Sequence, residues 1–289
     1  TQYIYHEFDT EYFQSPIVSY KTVLSETKPY WYADDTSDEE KNRIIKMYNS
    51  EYESFKNETM RAVNYLVKEF EMRKSAQLYK RAQISKVGSL DMKKIYAYKL
   101  QDDLFKRVTT LPQGKNHGMV MLVDWSGSMD GVLQDTLKQV INLAMFCQRI
   151  QIPYHVFAFT SSYRDDISYE ERMAYNEKYK QWAIKQQHRE GNILSNARNF
   201  HLLELFNNKM TSTEFNSMSK RLLDYRFRWN TGYSTGGTPL NEALAWVYLN
   251  LGAFIKNNNV EKTTFITLTD GEGGQLHNAA GRSVLSLDA

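Results

Sequence analysis

The chain has 289 residues, 42% of them hydrophobic and 24% charged, enough for one large domain or two modest ones with a proper core. Thirty-six basic side chains against 34 acidic ones leave a net charge of +2, so the charge balance demands neither nucleic acid nor an anionic membrane as partner. A single cysteine, Cys147, excludes an internal disulfide and a cysteine-rich metal site, and no run reaches the roughly 18 apolar residues of a membrane span.

Cys147 closes the apolar stretch Leu143-Ala144-Met145-Phe146-Cys147 and reads as a small core residue. One unpaired thiol fits a reducing, cytoplasmic setting. Residues 1–30 mix Tyr, Glu, Asp and Lys without an apolar block, so they do not read as a signal peptide; with Thr first, the natural start is expected upstream. The 20 tyrosines are spread evenly, as amphipathic core edges are, and not gathered into a stacking platform.

Residues 1–36, with two prolines and the cluster Tyr30-Trp31-Tyr32, read as an irregular arm packed on something else. Ser37 and Glu40 then form a capping box, with Asp38 and Glu39 in the first turn, where the helix dipole favours acids. Ile44, Met47, Tyr48, Phe55, Val63, Leu66, Val67 and Phe70 follow at mostly helical spacing. They predict one long helix or two consecutive ones over 37–85, stopped by Gly88. Residues 95–100 alternate, a charged run follows, and Leu111-Pro112-Gln113-Gly114 is a turn that marks the boundary between an N-terminal arm and helical region (1–110) and a second domain (111–289).

The second domain reads as α/β. Gly118 to Val123 is a continuous apolar run, typical of a strand buried on both faces. A helix with an apolar stripe is predicted over 131–149, and a strand over 154–159 after Pro153. Residues 169–190 and 201–226 read as helices within an insertion of about 161–236. Pro239 stands where a first-turn proline belongs, opening a helix over 239–256, and 263–269 is a β-branched strand. This order predicts a doubly wound, mainly parallel sheet.

Ligand sites of such sheets lie at the carboxyl ends of the strands. Two strands end in aspartate, as Asp124-Trp125-Ser126-Gly127-Ser128 and as Thr269-Asp270-Gly271, and Gly236-Gly237-Thr238-Pro239 opens the helix between them. Together they offer two carboxylates and three hydroxyls, an all-oxygen set suited to a hard divalent cation such as Mg²⁺, which takes about six oxygens at ~2.1 Å. Neutral hydroxyls leave the metal net positive and able to take a partner's carboxylate. No Cys, and no His at ligand spacing, lies in these loops, which argues against zinc and copper. Asp-x-Ser-x-Ser alone would arise by chance in on the order of one chain in ten of this length. The ordered strand, Gly-Gly-Thr-Pro and Thr-Asp-Gly context is what makes it specific.

Asp124, Ser126, Ser128, Thr238 and Asp270, in that order, resemble the metal-ion-dependent adhesion site (MIDAS) of von Willebrand factor A (VWA) domains over about residues 115–280. The resemblance implies a VWA, Rossmann-like fold with an N-terminal helical extension. It also implies hydroxyl ligation by Ser126, Ser128 and Thr238, aspartates acting directly or through water, and bound Mg²⁺, Mn²⁺ or Ca²⁺. Within the family the chain is similar to the CobT-type subunit of aerobic cobaltochelatase. The likeness rests on Gly88-Ser89-Leu90-Asp91 with Lys93 and Lys94, on Leu104-Phe105-Lys106-Arg107, and on Asn241-Glu242-Ala243-Leu244-Ala245-Trp246 against a Gly-Glu-Ala-Leu-x-Trp helix. The Gly-Gly-Thr-Pro stretch is closer to the D subunit of magnesium chelatase. The family fold has further strands after the position of Asp270, so the chain is expected to be incomplete or remodelled at its C-terminal end.

Such subunits work beside a ring-forming AAA+ ATPase of the MoxR/CobS kind. The sequence has no G-x-x-x-x-G-K-[ST], so nucleotide chemistry would come from another chain. The expected role is a non-catalytic module that binds a partner's Asp or Glu through the metal. The alternatives are an accessory subunit of a cobalt or magnesium chelatase and a structural phage virion component, since similar genes occur in tailed phages. A haloacid-dehalogenase reading lacks a carboxylate at Ser126, and Asp-Trp-Ser-Gly-Ser is not the G-x-S-x-G of a serine hydrolase.

Other residues carry two readings each. Trp125 is either a partner contact or packing against a neighbouring loop. Lys68, Arg73, Lys74, Lys80, Arg81, Lys86, Lys93 and Lys94 read as a solvated face more readily than as a nucleic-acid patch. His117 and His155 read as structural, and Glu272 either accepts from metal-bound water or has no role.

Overall fold

The computed structural model describes residues 7–8, 17–26, 37–81, 83–85, 108–110, 116–162, 168–186, 192–194, 200–224, 235–271, 273–274, 276–278 and 283–285. In chain order these form β1 (Glu7–Phe8), β2 (Ile17–Val18), α1 (Tyr20–Glu26), α2 (Asp38–Arg81), β3 (Gln83–Ser85), β4 (Val108–Thr110) and β5 (His117–Asp124). A 3-10 turn (Ser128–Gly131), α3 (Leu133–Arg149), β6 (Tyr154–Thr160), α4 (Tyr169–Gln186), β7 (Asn192–Leu194) and β8 (His201–Asn207) follow. The described elements close with α5 (Ser212–Leu223), α6 (Leu240–Asn258), β9 (Lys262–Leu268), β10 (Leu276–Asn278) and β11 (Ser283–Leu285).

The main sheet has five strands in the order β2-β8-β6-β5-β9. Its β2–β8, β6–β5 and β5–β9 pairings are parallel and β6–β8 is antiparallel, so the architecture is α/β around a mixed, mainly parallel sheet. Alternate residues of each central strand feed opposite cores. Met121 and Val123 of β5, Val156 and Ala158 of β6, and Leu203 and Leu205 of β8 meet α3 and α5 on one face. Val120, Leu122, Phe157, Phe159 and Leu202 meet α6 on the other. This two-sided burial explains why β5 reads as an unbroken apolar run.

The long helix is one element. The Ser37 hydroxyl accepts from the Glu40 N–H at 3.3 Å, and three acids fill the first turn. Its buried line runs through Tyr52, Thr59 and Val63, and Phe55, Val67 and Phe70 pack beside it against the core of α3 and α5. Met47 and Leu66, read as part of the stripe, fall off that line and are exposed. The helix ends at Arg81 and β3 begins at Gln83, so it stops before Gly88, which lies outside the described residues, as does the alternating stretch 95–100.

Two expectations are corrected. Residues 201–226 are not one helix: 201–207 is the strand β8, and a helix begins only at Ser212. Leu202, Leu203, Leu205 and Phe206 satisfy helical spacing, but a strand buried on both faces is equally apolar, and pairing with β6 decides between them. The true helix start was written as Thr211-x-x-Glu214. Here the Thr211 hydroxyl accepts from the Glu214 N–H at 3.2 Å and the Glu214 carboxylate accepts from the Thr211 N–H at 2.8 Å. The arm before residue 37 is also not wholly irregular. β2 extends the sheet edge beside β8, and α1 buries Tyr20 and Val23 in the core, so the arm packs on this chain's own sheet.

Cys147 is a core residue, fully buried with its thiol 3.7 Å from the Met119 sulfur. Burial pushes the thiol pKa up to about 12. Among the described residues, no helix is long and apolar enough to cross a membrane.

Two outcomes are expected. Leu203→Ala, at a site with 0% exposure, lowers stability by about 2–5 kcal/mol in urea unfolding, whereas the same change at an exposed helical position would cost less than about 1 kcal/mol. Cys147 stays unreactive toward a chromogenic disulfide reagent in the native state and reacts stoichiometrically in denaturant; fast labelling of the folded chain would contradict its burial.

Candidate metal centre

β5 lies between β6 and β9, with Asp124 opposite Phe159 and Val123 opposite Leu268. Parallel pairing therefore brings the carboxyl ends of three strands to one rim of the sheet, and the chain turns that leave them form the site. The turn after β5 is tied to the loop before α6 by a main-chain bridge between Ser126 and Gly236. In it the Gly236 N–H donates to the Trp125 carbonyl at 3.2 Å, and the Gly127 N–H donates to the Gly236 carbonyl at 3.1 Å. The approach is close enough to require glycine: a Cβ on Gly236 would lie 2.9 Å from the Ser162 nitrogen, and one on Gly237 would lie 2.8 Å from the Ser161 hydroxyl.

Four of the five residues singled out from the sequence join in one polar cluster. The Ser126 and Ser128 hydroxyls are 3.0 Å apart, and the Ser128 hydroxyl donates to Asp270 Oδ1 at 2.9 Å. Asp124 Oδ2 accepts from the Thr269 hydroxyl at 2.6 Å. Asp124 Oδ1 is buried and accepts no hydrogen bond among the described residues. Thr238 stands on the adjoining loop, two residues beyond the bridge at Gly236, and its hydroxyl makes no hydrogen bond to the other four. Its carbonyl accepts from the Gly274 N–H at 3.0 Å, and Asn241 Nδ2 donates to the Gly274 carbonyl at 2.6 Å, which clasps the Thr238 and Asp270 loops together.

Burial holds the Asp124 carboxyl above its ordinary pKa, and the nearby Asp270 charge pushes the same way. Thr269, and Ser126 beside it, favour the charged form and pull it back without cancelling the rise. The site thus concentrates negative charge and oxygen donors at a place with one carboxylate oxygen left over. That donor set fits a hard divalent cation: two carboxylates and neutral hydroxyls, with no sulfur or imidazole in the loops. Among the described residues, no three His, Cys, Asp or Glu side chains gather to hold a metal ion, here or elsewhere, so any cation here would rest on two carboxylates and on hydroxyls.

Three contributors were not singled out from the sequence. Thr269, Ser161 and Asn241 stand at a strand end or in a first helical turn, the positions that drew attention to Asp124 and Thr238, but a hydroxyl or amide there has no signature of its own. Trp125 is fully buried, so it packs and does not face a partner. His117 opens β5 at the end remote from Asp124 and meets the Phe70 ring edge-on; His155 sits between Phe157 and Phe254. Arg73 pairs with Glu69 at 3.7 Å on an exposed helix face, and Lys68 and Lys74 are exposed with it. Lys86, Lys93, Lys94 and Glu272 lie outside the described residues.

No family model, no curated protein and no solved structure matches the chain.

An acid whose folded pKa is raised weakens the fold as pH climbs past its unfolded value of about 3.9, because the unfolded chain releases its proton first. In metal-free protein, Asp124→Asn is therefore expected to match the parent near pH 3 and to exceed it in stability at pH 7. Denaturant midpoints across pH check this, and a variant less stable than the parent at pH 7 would contradict it.

Proposed function

We propose that this chain is a VWA-type binding module in which Asp124, Ser126, Ser128, Thr238 and Asp270 hold one hard divalent cation, Mg²⁺ or its relatives Mn²⁺ and Ca²⁺. Through it the module captures a carboxylate of a partner protein. The observation that carries this reading is Asp124 Oδ1, buried with no hydrogen-bond donor among the described residues, beside the Ser126, Ser128 and Asp270 cluster. A bare carboxylate oxygen taken out of water is costly, and a cation offsets that cost.

When bound, the cation supplies positive charge and a coordination position open to an outside acid. The chain's residues do the rest. Thr269 holds Asp124 Oδ2 and so turns Oδ1 free for ligation. The serine and threonine hydroxyls add oxygen without adding charge, which keeps two carboxylates from repelling a third. In this reading the two carboxylates act as ligands, and the role is binding, not turnover. The likeness to CobT-type subunits points to an AAA+ ATPase as the working partner, in a cytoplasmic setting.

Mg²⁺ at a hundred times its Kd is expected to stabilise the chain by about 2.7 kcal/mol, and Asp124→Asn to abolish that gain. Immobilised chain should retain an acid-bearing partner from lysate of its source in Mg²⁺ and release it in EDTA. Equal retention in both, or by Asp124→Ala, would defeat the reading.

A further inference from the structure

Resting on that metal reading, we infer that Ser161 and Asn241 are positioning residues that set the Thr238 hydroxyl for the cation, although neither reaches the cluster itself. The other four residues hold one another or their neighbours through side-chain hydrogen bonds. The Thr238 hydroxyl has no such bond among the described residues, so its place depends on the backbone that carries it.

That backbone is pinned on both sides. Ahead of Thr238, the Gly237 N–H donates to the Ser161 hydroxyl at 3.1 Å, and Ser161 is the first residue beyond β6. At Thr238 itself, the carbonyl accepts from Gly274 N–H, and Gly274 is held in turn by Asn241 Nδ2 at 2.6 Å. Asn241 is 6% exposed, and a Cβ on Gly273 would lie 3.0 Å from Leu240 Cβ, so the clasp is packed as well as hydrogen-bonded. Ser161 thus ties Thr238 to the β6 end, and Asn241 ties it to the Asp270 loop. Removing either tie leaves all five oxygen donors present but frees one of them, and a ligand that must be ordered on binding is worth less than one already in place.

Calorimetric titration with Mg²⁺ and Mn²⁺, using the full chain, tests this. Ser161→Ala and Asn241→Leu are each expected to weaken binding about 10- to 100-fold, and Ser161→Thr, which keeps the hydroxyl, to restore it. Because both act through Thr238, neither should weaken binding further in a Thr238→Ala background. In metal-free protein, amide exchange should quicken at Gly237 in Ser161→Ala and at Gly274 in Asn241→Leu, with the β5 amides unchanged. Wild-type affinity in both single variants, or losses that add in full to that of Thr238→Ala, overturns the positioning role while leaving the metal site standing. Failure of the wild-type chain to bind either ion overturns the metal reading and this inference with it. Should Asn241→Leu fail to fold, Ser161→Ala and its threonine control decide the matter.

Discussion

The parallel register of β5 between β6 and β9 is the constraint from which the rest of this structure follows. It sets Val123 beside Leu268, so Asp124 and Thr269 leave their strands side by side, and the 2.6 Å hydrogen bond between them becomes possible. On the other flank it brings Asp124 level with Phe159, so the turn after β5 meets the residues that follow β6. A slip of one residue would exchange the side chains of β5 between the two cores and separate these ends. Because β5 is buried on both faces, such a slip would sacrifice two cores at once.

Polar chemistry is then placed where the sheet can no longer satisfy it. Met119 to Val123 of β5 are paired on both flanks, and their side chains are apolar. At Asp124 the pairing with β9 has ended, and a carboxylate appears in a buried place with one oxygen supplied and, among the described residues, one not. Burial and the neighbouring Asp270 raise its pKa, an electrostatic cost built into the fold. Stored electrostatic cost of this kind marks a binding site more clearly than the motif does, because an Asp-x-Ser-x-Ser turn on the surface would have none of it.

The long N-terminal helix illustrates how much of the fold serves packing and not the site. Its buried line rests on α3 and α5, at the face of the sheet opposite α6, and the loops of the candidate site lie along the sheet's rim. α1 and β2 complete the same face and edge. The loop that carries Asp124, Ser126 and Ser128 thereby leaves a strand paired on both flanks and buried on both faces, which is what preorganising a small polar cluster requires.

What the amino-acid order determined by itself is local. The apolar runs of β5 and β6, the Ser37 helix start and the proline-led α6 are each written in a few neighbouring residues. So are the five candidate ligands, because a hydroxyl or carboxylate at a strand end is visible one strand at a time. Long-range pairing decided everything else. Leu202 to Phe206 fit a helix or a doubly buried strand equally well, and only the antiparallel ladder to β6 chose the strand. Trp125 could have faced outward until the fold packed it into the core beside α3. Ser161, Asn241 and Thr269 acquire their roles from partners 76, 33 and 145 residues away, and hydrogen bonds at such separations leave no periodicity in the chain.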